Sequence, residues 1–312
     1  MKSWTNRDWT RERPYERFFD FIAPDADRFQ ILREHVKGLG LNSVVIPIKG
    51  NYHFFIFPAG YNLKPSTGGV LPFRGQSPVI LVAHYDRVPG SPGANDNSAA
   101  VFQLLKTALR LGEQGVDYWI IIFTDKEELE AGEGIQEQGA FGLAEKLKSC
   151  GLGEARVFNF DACGTGDTFV FSSTSDYLLA RDQRPGLRRV KQVITALREH
   201  ALGTARYLRL NQVLSIPTPF SDDAGFLRAG FPAQTVTILP AGEASALAMM
   251  LQNQPGFADF LISSSSAQFD RMLLPETWRC LNSPSDNHDR LTPCFFDKIV
   301  LFAIELCRGW RR

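Results

Sequence analysis

The sequence predicts an α/β fold, a mostly parallel mixed β-sheet with helices on both faces. Three observations predict it. Val79–Ala83, Tyr118–Phe123 and Arg156–Phe160 are short, largely apolar runs, as expected of strands buried on both sides. Stretches with apolar residues at helical spacing alternate with them, which is the pattern of a sheet covered on both faces. Each run also ends on residues able to do chemistry: His84-Tyr85-Asp86, then Thr124-Asp125-Lys126-Glu127-Glu128, then Asp161-Ala162-Cys163-Gly164. In open α/β sheets that carboxyl edge is where ligands bind.

In order along the chain, residues 1–20 are rich in Trp, Arg and Phe and read as a packed N-terminal extension. Asp25–Leu39 has helical spacing at Phe29, Leu32 and Val36, and Gly38 and Gly40 end it. His35 on that helix reads as a surface residue. Ser43–Ile48 and His53–Phe57 read as two strands turning at Gly50-Asn51, with His53 structural. After Val79–Ala83, His84 and Asp86 point to one side, because strand side chains alternate. Pro89, Gly90, Pro92 and Gly93 break the chain, and Asp96, Asn97 and Ser98 are candidate caps for a helix carrying Val101, Leu104, Leu105 and Ala108. Phe141–Lys148 is a helix, Thr168–Ser172 a strand, Leu187–Ala201 a basic amphipathic helix with a solvated His200 near its end, and Gln234–Leu239 a strand. Thr292-Pro293 opens a last helix with proline at its first position. The expectation is one domain over 1–312, with residues 240–287 as a lid, an insertion or a dimer contact.

Composition narrows the function. The chain has 312 residues, 34 basic and 34 acidic, so charge offers no argument for nucleic acid or an anionic membrane. No apolar run is long enough to span a bilayer. The first residues have no apolar core of the signal-peptide kind, so the expected location is cytoplasmic. Five cysteines without a CxxC pair suggest neither a disulfide framework nor a thiolate zinc site.

The strand ends therefore gather His84, Asp86, Asp96, Glu127, Glu128 and Asp161. So many carboxylates cannot all ionise together without compensation, and divalent cations supply it. Nitrogen and oxygen donors without thiolate suit zinc in an open site.

The ordered set His84-Tyr85-Asp86, Gly93-Ala94-Asn95-Asp96-Asn97, Phe123 with Glu127-Glu128, Asn159-Phe160-Asp161, and Asn287-His288 ahead of Thr292-Pro293 resembles the co-catalytic di-zinc aminopeptidases. That family includes the bacterial leucyl aminopeptidases and is related to the glutamate carboxypeptidases and glutaminyl cyclases. The resemblance implies a zinc-dependent exopeptidase fold and two zinc ions per chain. Asp96 would bridge them, His84 and Asp161 would complete one, and Glu128 and His288 the other. Asp86 would fix the tautomer of His84, and Glu127 would be the general base. The implied reaction removes N-terminal residues from a peptide or a small N-acyl substrate. Ser221-Asp222-Asp223 departs from the aminopeptidase pattern and is similar to the glutaminyl cyclases, so a single-zinc cyclase is the alternative. A peptidase-like binding protein without activity is a more distant one. Either Asp222 or Asp223 would contact substrate, or both would serve a helix start. The acidic stretch Leu129–Gln138 is expected to narrow the pocket or to disfavour acidic substrates.

Overall fold

The structure, a computed structural model, describes residues 8–61, 77–130, 132–180, 187–263 and 270–309. Eight strands form one sheet: β1 Asn42–Ile48, β2 Asn51–Phe57, β3 Val79–His84, β4 Trp119–Thr124, β5 Arg156–Phe160, β6 Thr168–Ser172, β7 Val213–Ile216 and β8 Ala233–Leu239. Their order is β1-β2-β4-β3-β5-β8-β6-β7. β4, β3, β5 and β8 run parallel, the β1–β2 hairpin adds an antiparallel edge, and β6 lies antiparallel to β8. Every residue of β3, β4 and β8 is buried; β3 and β4 are apolar up to their last residue, and β8 buries Gln234, Thr235 and Thr237 among its apolar residues.

The helices are α1 Phe18–Ile22, α2 Arg28–Gly38, α3 Ala99–Glu113, α4 Gly139–Ser149, α5 Thr174–Ala180, α6 Arg188–Tyr207, α7 Asp222–Arg228, α8 Ala241–Asn253, α9 Phe257–Ser263, α10 Glu276–Cys280 and α11 Phe296–Arg308. On one face, α1, α2, α3, α6 and α11 enclose an aromatic core. Phe302 of α11 meets Phe160, Phe169 and Phe171 there, with ring centroids 5.0–6.4 Å apart. The N-terminal extension joins this core through Trp9 and Tyr15, both packed on Phe296. On the opposite face, α4 and α7 cover Ile80, Val82, Ile120 and Ile122. A third, smaller core gathers Ala244, Leu247, Phe257, Phe260 and Trp278 around Val170 and Leu239, so the stretch from 240 onward packs as helices against the β6–β8 end of the sheet.

Several local expectations shift. The hairpin turns at Lys49-Gly50, since Ile48 pairs with Asn51, and both turn residues have positive φ (50° and 89°). Asp27 caps α2 by accepting the Gln30 N–H at 2.9 Å. His35 is buried rather than at the surface, with Nε2 2.8 Å from the Pro14 carbonyl oxygen. α6 runs on to Tyr207, and His200 is half-buried with Nδ1 3.1 Å from an Arg156 guanidinium nitrogen; burial first, then Arg156, lowers its pKa to about 4. It is therefore neutral, not a solvated cation. Pro293–Phe295 is a separate 3-10 turn ahead of α11. Among the described residues no helix is long and apolar enough to cross a membrane.

Candidate metal centre

Parallel pairing sets the site. His84 lies opposite Thr124, and Val82 opposite Asn159, so the strand ends carrying His84, Glu127 and Asp161 reach one edge side by side. The loop after β3 swings Asp96 back onto that edge. His84 Nε2 then lies 2.9 Å from Asp96 Oδ1 and 3.5 Å from Asp161 Oδ1, and Nδ1 lies 3.3 Å from Asp86 Oδ1. Among the described residues, His84, Asp96 and Asp161 are the group whose ligand atoms all fall within 4.8 Å of one another.

The loop that carries Asp96 is held from three sides. Arg28 of α2 is buried beneath it and donates to the carbonyls of Tyr85 (3.1 Å), Asp86 (3.0 Å), Pro92 (2.7 Å) and Gly93 (3.2 Å) and to Ser98 Oγ (2.8 Å). Burial, with Arg87 nearby, lowers its pKa to about 9, so it remains a cation at neutral pH. Gly93 must be glycine: its φ is +59°, and a Cβ would lie 2.6 Å from the Asp96 carbonyl oxygen. From β5, Phe160 O accepts Asn97 Nδ2 at 2.8 Å, and the Gly164 N–H reaches Asn95 Oδ1 at 2.7 Å. From the far end of the chain, Asp286 accepts the backbone N–H groups of Asn95 (2.8 Å) and Asp96 (3.0 Å).

Asp86 serves two neighbours. One oxygen faces His84 Nδ1, and the other accepts the Glu127 N–H at 3.0 Å. Gln138 continues the brace, donating to the Glu127 carbonyl oxygen at 2.9 Å and accepting from Gly225 N at 2.8 Å. Glu127, Glu128, Asp96 and Asp161 border a cavity of about 270 Å³, whose other wall is Arg271, Leu274, Trp278, Leu281 and Asn282. The stretch expected as a lid or insertion thus supplies a third of the pocket's lining. No described residue of 129–138 lines it.

The electrostatics show what the site wants. Burial by itself would lower the His84 pKa; the facing carboxylates of Asp161, Asp86 and Asp96 outweigh it and raise the pKa well above the ordinary histidine range. Burial, then the charges of Asp161, Asp96 and Glu128, lift Glu127 well above the usual carboxylate range. Both ring nitrogens of His84 and Asp161 Oδ1 are buried without a hydrogen bond of good geometry. A ring nitrogen and two carboxylates converging on one point, with no protein donor on Asp161 Oδ1, fit a divalent cation, and the donor set suits zinc.

The remaining expected site residues lie elsewhere. His288 Nε2 is 3.2 Å from Asp289 Oδ1, its ring packs edge-on against Phe19 at 5.0 Å, and it does not line the cavity. Beside Glu128 stands Asn282, whose Nδ2 donates to Glu128 Oε1. Asp222 and Asp223 are fully buried. Asp222 Oδ2 accepts from Thr124 Oγ1 at 2.5 Å, Asp223 Oδ1 accepts the Ser221 N–H at 2.9 Å, and neither lines the cavity. Burial raises both to about 7. Arg28, Asn282 and Asp286 went unread in the sequence; a carboxylate two residues before His288 was the one available signal.

Comparison with known proteins agrees with this geometry. The family model for peptidase family M28 matches residues 68–289. A probable lipoprotein aminopeptidase of Mycobacterium tuberculosis, LpqL, is 30% identical over 166 residues, half of this chain but only 30% of that protein's length. Among solved structures, a glutaminyl cyclase of Porphyromonas gingivalis superposes with a TM-score of 0.59 at 17% identity, covering 99% of this chain and all of that one. A Zn-dependent exopeptidase of Parabacteroides distasonis gives 0.58 at 14% identity (97% and 99% covered). The zinc aminopeptidase BSAP of Bacillus subtilis gives 0.50 at 16%, covering 83% of this chain and half of that one. At such identities these structures establish the shared fold.

Proposed function

The chain belongs to peptidase family M28, and from that premise we propose that it is a zinc-dependent aminopeptidase that hydrolyses the N-terminal bond of a peptide. The observation that carries the reading is the convergence of His84, Asp96 and Asp161, with the His84 ring nitrogens and Asp161 Oδ1 unpartnered, at the edge of a cavity that Glu127 also borders. These three residues would hold zinc, which when bound supplies Lewis acidity toward the scissile carbonyl and the attacking water. Asp86 is the positioning residue. Its Oδ1 faces the His84 Nδ1–H and keeps the proton on that nitrogen, so that Nε2 offers its lone pair to the ion, and its other oxygen accepts the Glu127 N–H. Glu127 is the general base: its carboxylate takes a proton from the attacking water and returns it to the leaving amine, so the cycle is proton-neutral. Buried among carboxylates, its proton affinity is raised toward the working pH, as a base requires.

Hydrolysis is preferred to glutaminyl cyclisation because Asp222 and Asp223, the feature similar to the cyclases, are engaged with Thr124 and Ser221. The test is a panel of aminoacyl-anilides and Gln-peptides with the purified chain, before and after exhaustive chelation. Anilide release that chelation abolishes and zinc restores is expected. Glu127→Gln should keep its zinc and lose turnover by roughly two to four orders of magnitude. Turnover indifferent to chelation, or ammonia release from Gln-peptides without anilide hydrolysis, would sink the proposal.

A further inference from the structure

We infer that this chain holds one metal ion, at His84, Asp96 and Asp161, and that its second cation position is closed by an Asn282–Glu128 pair. The inference rests on the metal-dependent reading of the same site and departs from the two ions that the sequence resemblance implies. A second ion beside Asp96 needs donors from Glu128 and a further side chain. Every histidine of the chain is described, and four of the five are committed elsewhere: His35 to Pro14, His53 to the Asp125 N–H, His200 to Arg156, and His288 to Asp289 and Phe19. No cysteine lines the cavity. Next to Glu128 is an amide, and its Nδ2 is the atom turned toward the carboxylate. Asn282 therefore presents a donor hydrogen where a second ion requires a lone pair. Arg271 on the same wall adds positive charge, which opposes a further cation. The pair is held by the backbone: Asn282 has a φ of 57°, a left-handed conformation that asparagine and histidine tolerate better than most residues.

The experiment is zinc stoichiometry, measured by calorimetric titration of the chelator-treated full chain and by elemental analysis after dialysis. One equivalent is expected for the natural chain, for Glu128→Gln and for His288→Ala, and none for His84→Ala. Asn282→His, which supplies the missing nitrogen at a permitted φ, should take up a second equivalent. Two equivalents in the natural chain, one of them lost in Glu128→Gln or His288→Ala, overturn the inference and leave the aminopeptidase reading standing. No equivalents in the natural chain overturn both.

Discussion

Arg28 shows how a residue with no motif around it can decide whether a site exists. Its guanidinium spreads across four carbonyls and one hydroxyl, all within residues 85–98, and stacks 4.6 Å from the Phe21 ring centroid. A lysine offers three donors from a single point and cannot span that fork. Arg28→Lys should therefore destabilise the chain by about 2–4 kcal/mol, because buried carbonyls lose charged partners. Limited proteolysis of the 85–98 loop should also speed up, and intact stability with normal loop protection would show that the loop holds itself. His84 and Asp161 were legible because each sits where a strand ends, and strand ends can be read from apolar runs. Arg28 was not, because its partners lie 57 to 70 residues away. His288 was read from its loop position alone; in the fold its ring packs edge-on against Phe19, and Asn282 stands beside Glu128.

At the scale of elements, one close crossing positions Glu127. α7 approaches α4 so tightly that a Cβ on Gly225 would lie 2.6 Å from Gln138 Oε1 and 2.7 Å from the Phe141 nitrogen. Gln138 also holds the Glu127 carbonyl, so the contact is one step from the cavity. Gly225→Ala should cost about 1–3 kcal/mol as an overpacking change, seen as a lowered urea midpoint, and should reduce turnover by displacing Glu127. A variant with unchanged midpoint and rate would show that the helices part freely. The central strands matched their sequence signatures within a residue, because burial on both faces leaves an unbroken apolar run. α9 and α10 were poorly read, because at seven and five residues each is too short to display a helical period.

For the whole molecule, acid sensitivity has identifiable sources. His53 is fully buried, and burial lowers its pKa to about 4; His200 is lowered as far. In the unfolded chain an imidazole protonates near 6.5. Between about pH 6.5 and 4 the unfolded state then binds more protons, so stability is complete above that window and falls as pH drops through it. Each histidine contributes a slope of about 1.4 kcal/mol per pH unit there. Asp222 and Asp223, raised to about 7 by burial, act with the opposite sign: each contributes stability as pH falls from 7 toward 4. A comparison of variants separates the two effects. The stability difference between His53→Gln and the natural chain, from urea unfolding at pH 7 and pH 5, should shift by roughly 2 kcal/mol in favour of the variant at the lower pH. A pH-independent difference would mean that His53 titrates normally in the fold. The insertion of β8 between β5 and β6 was beyond the sequence reading, since alternation gives the strands but not the order in which they pair.

The Asp286 clamp has a consequence for how the protein is made. The carboxylate that fixes the Asn95 and Asp96 N–H groups lies 190 residues or more further along the chain. A ribosome delivering about 5–20 residues per second reaches it roughly 10–40 seconds after Asp96 has emerged. By early in that interval His84, Asp96 and Asp161 have all been synthesised, while the Asp96 loop still lacks its last support. The Asp96 loop therefore reaches its finished geometry only once residue 286 has been made. A chain released before that point would carry His84, Asp96 and Asp161 without the clamp that fixes the loop between them.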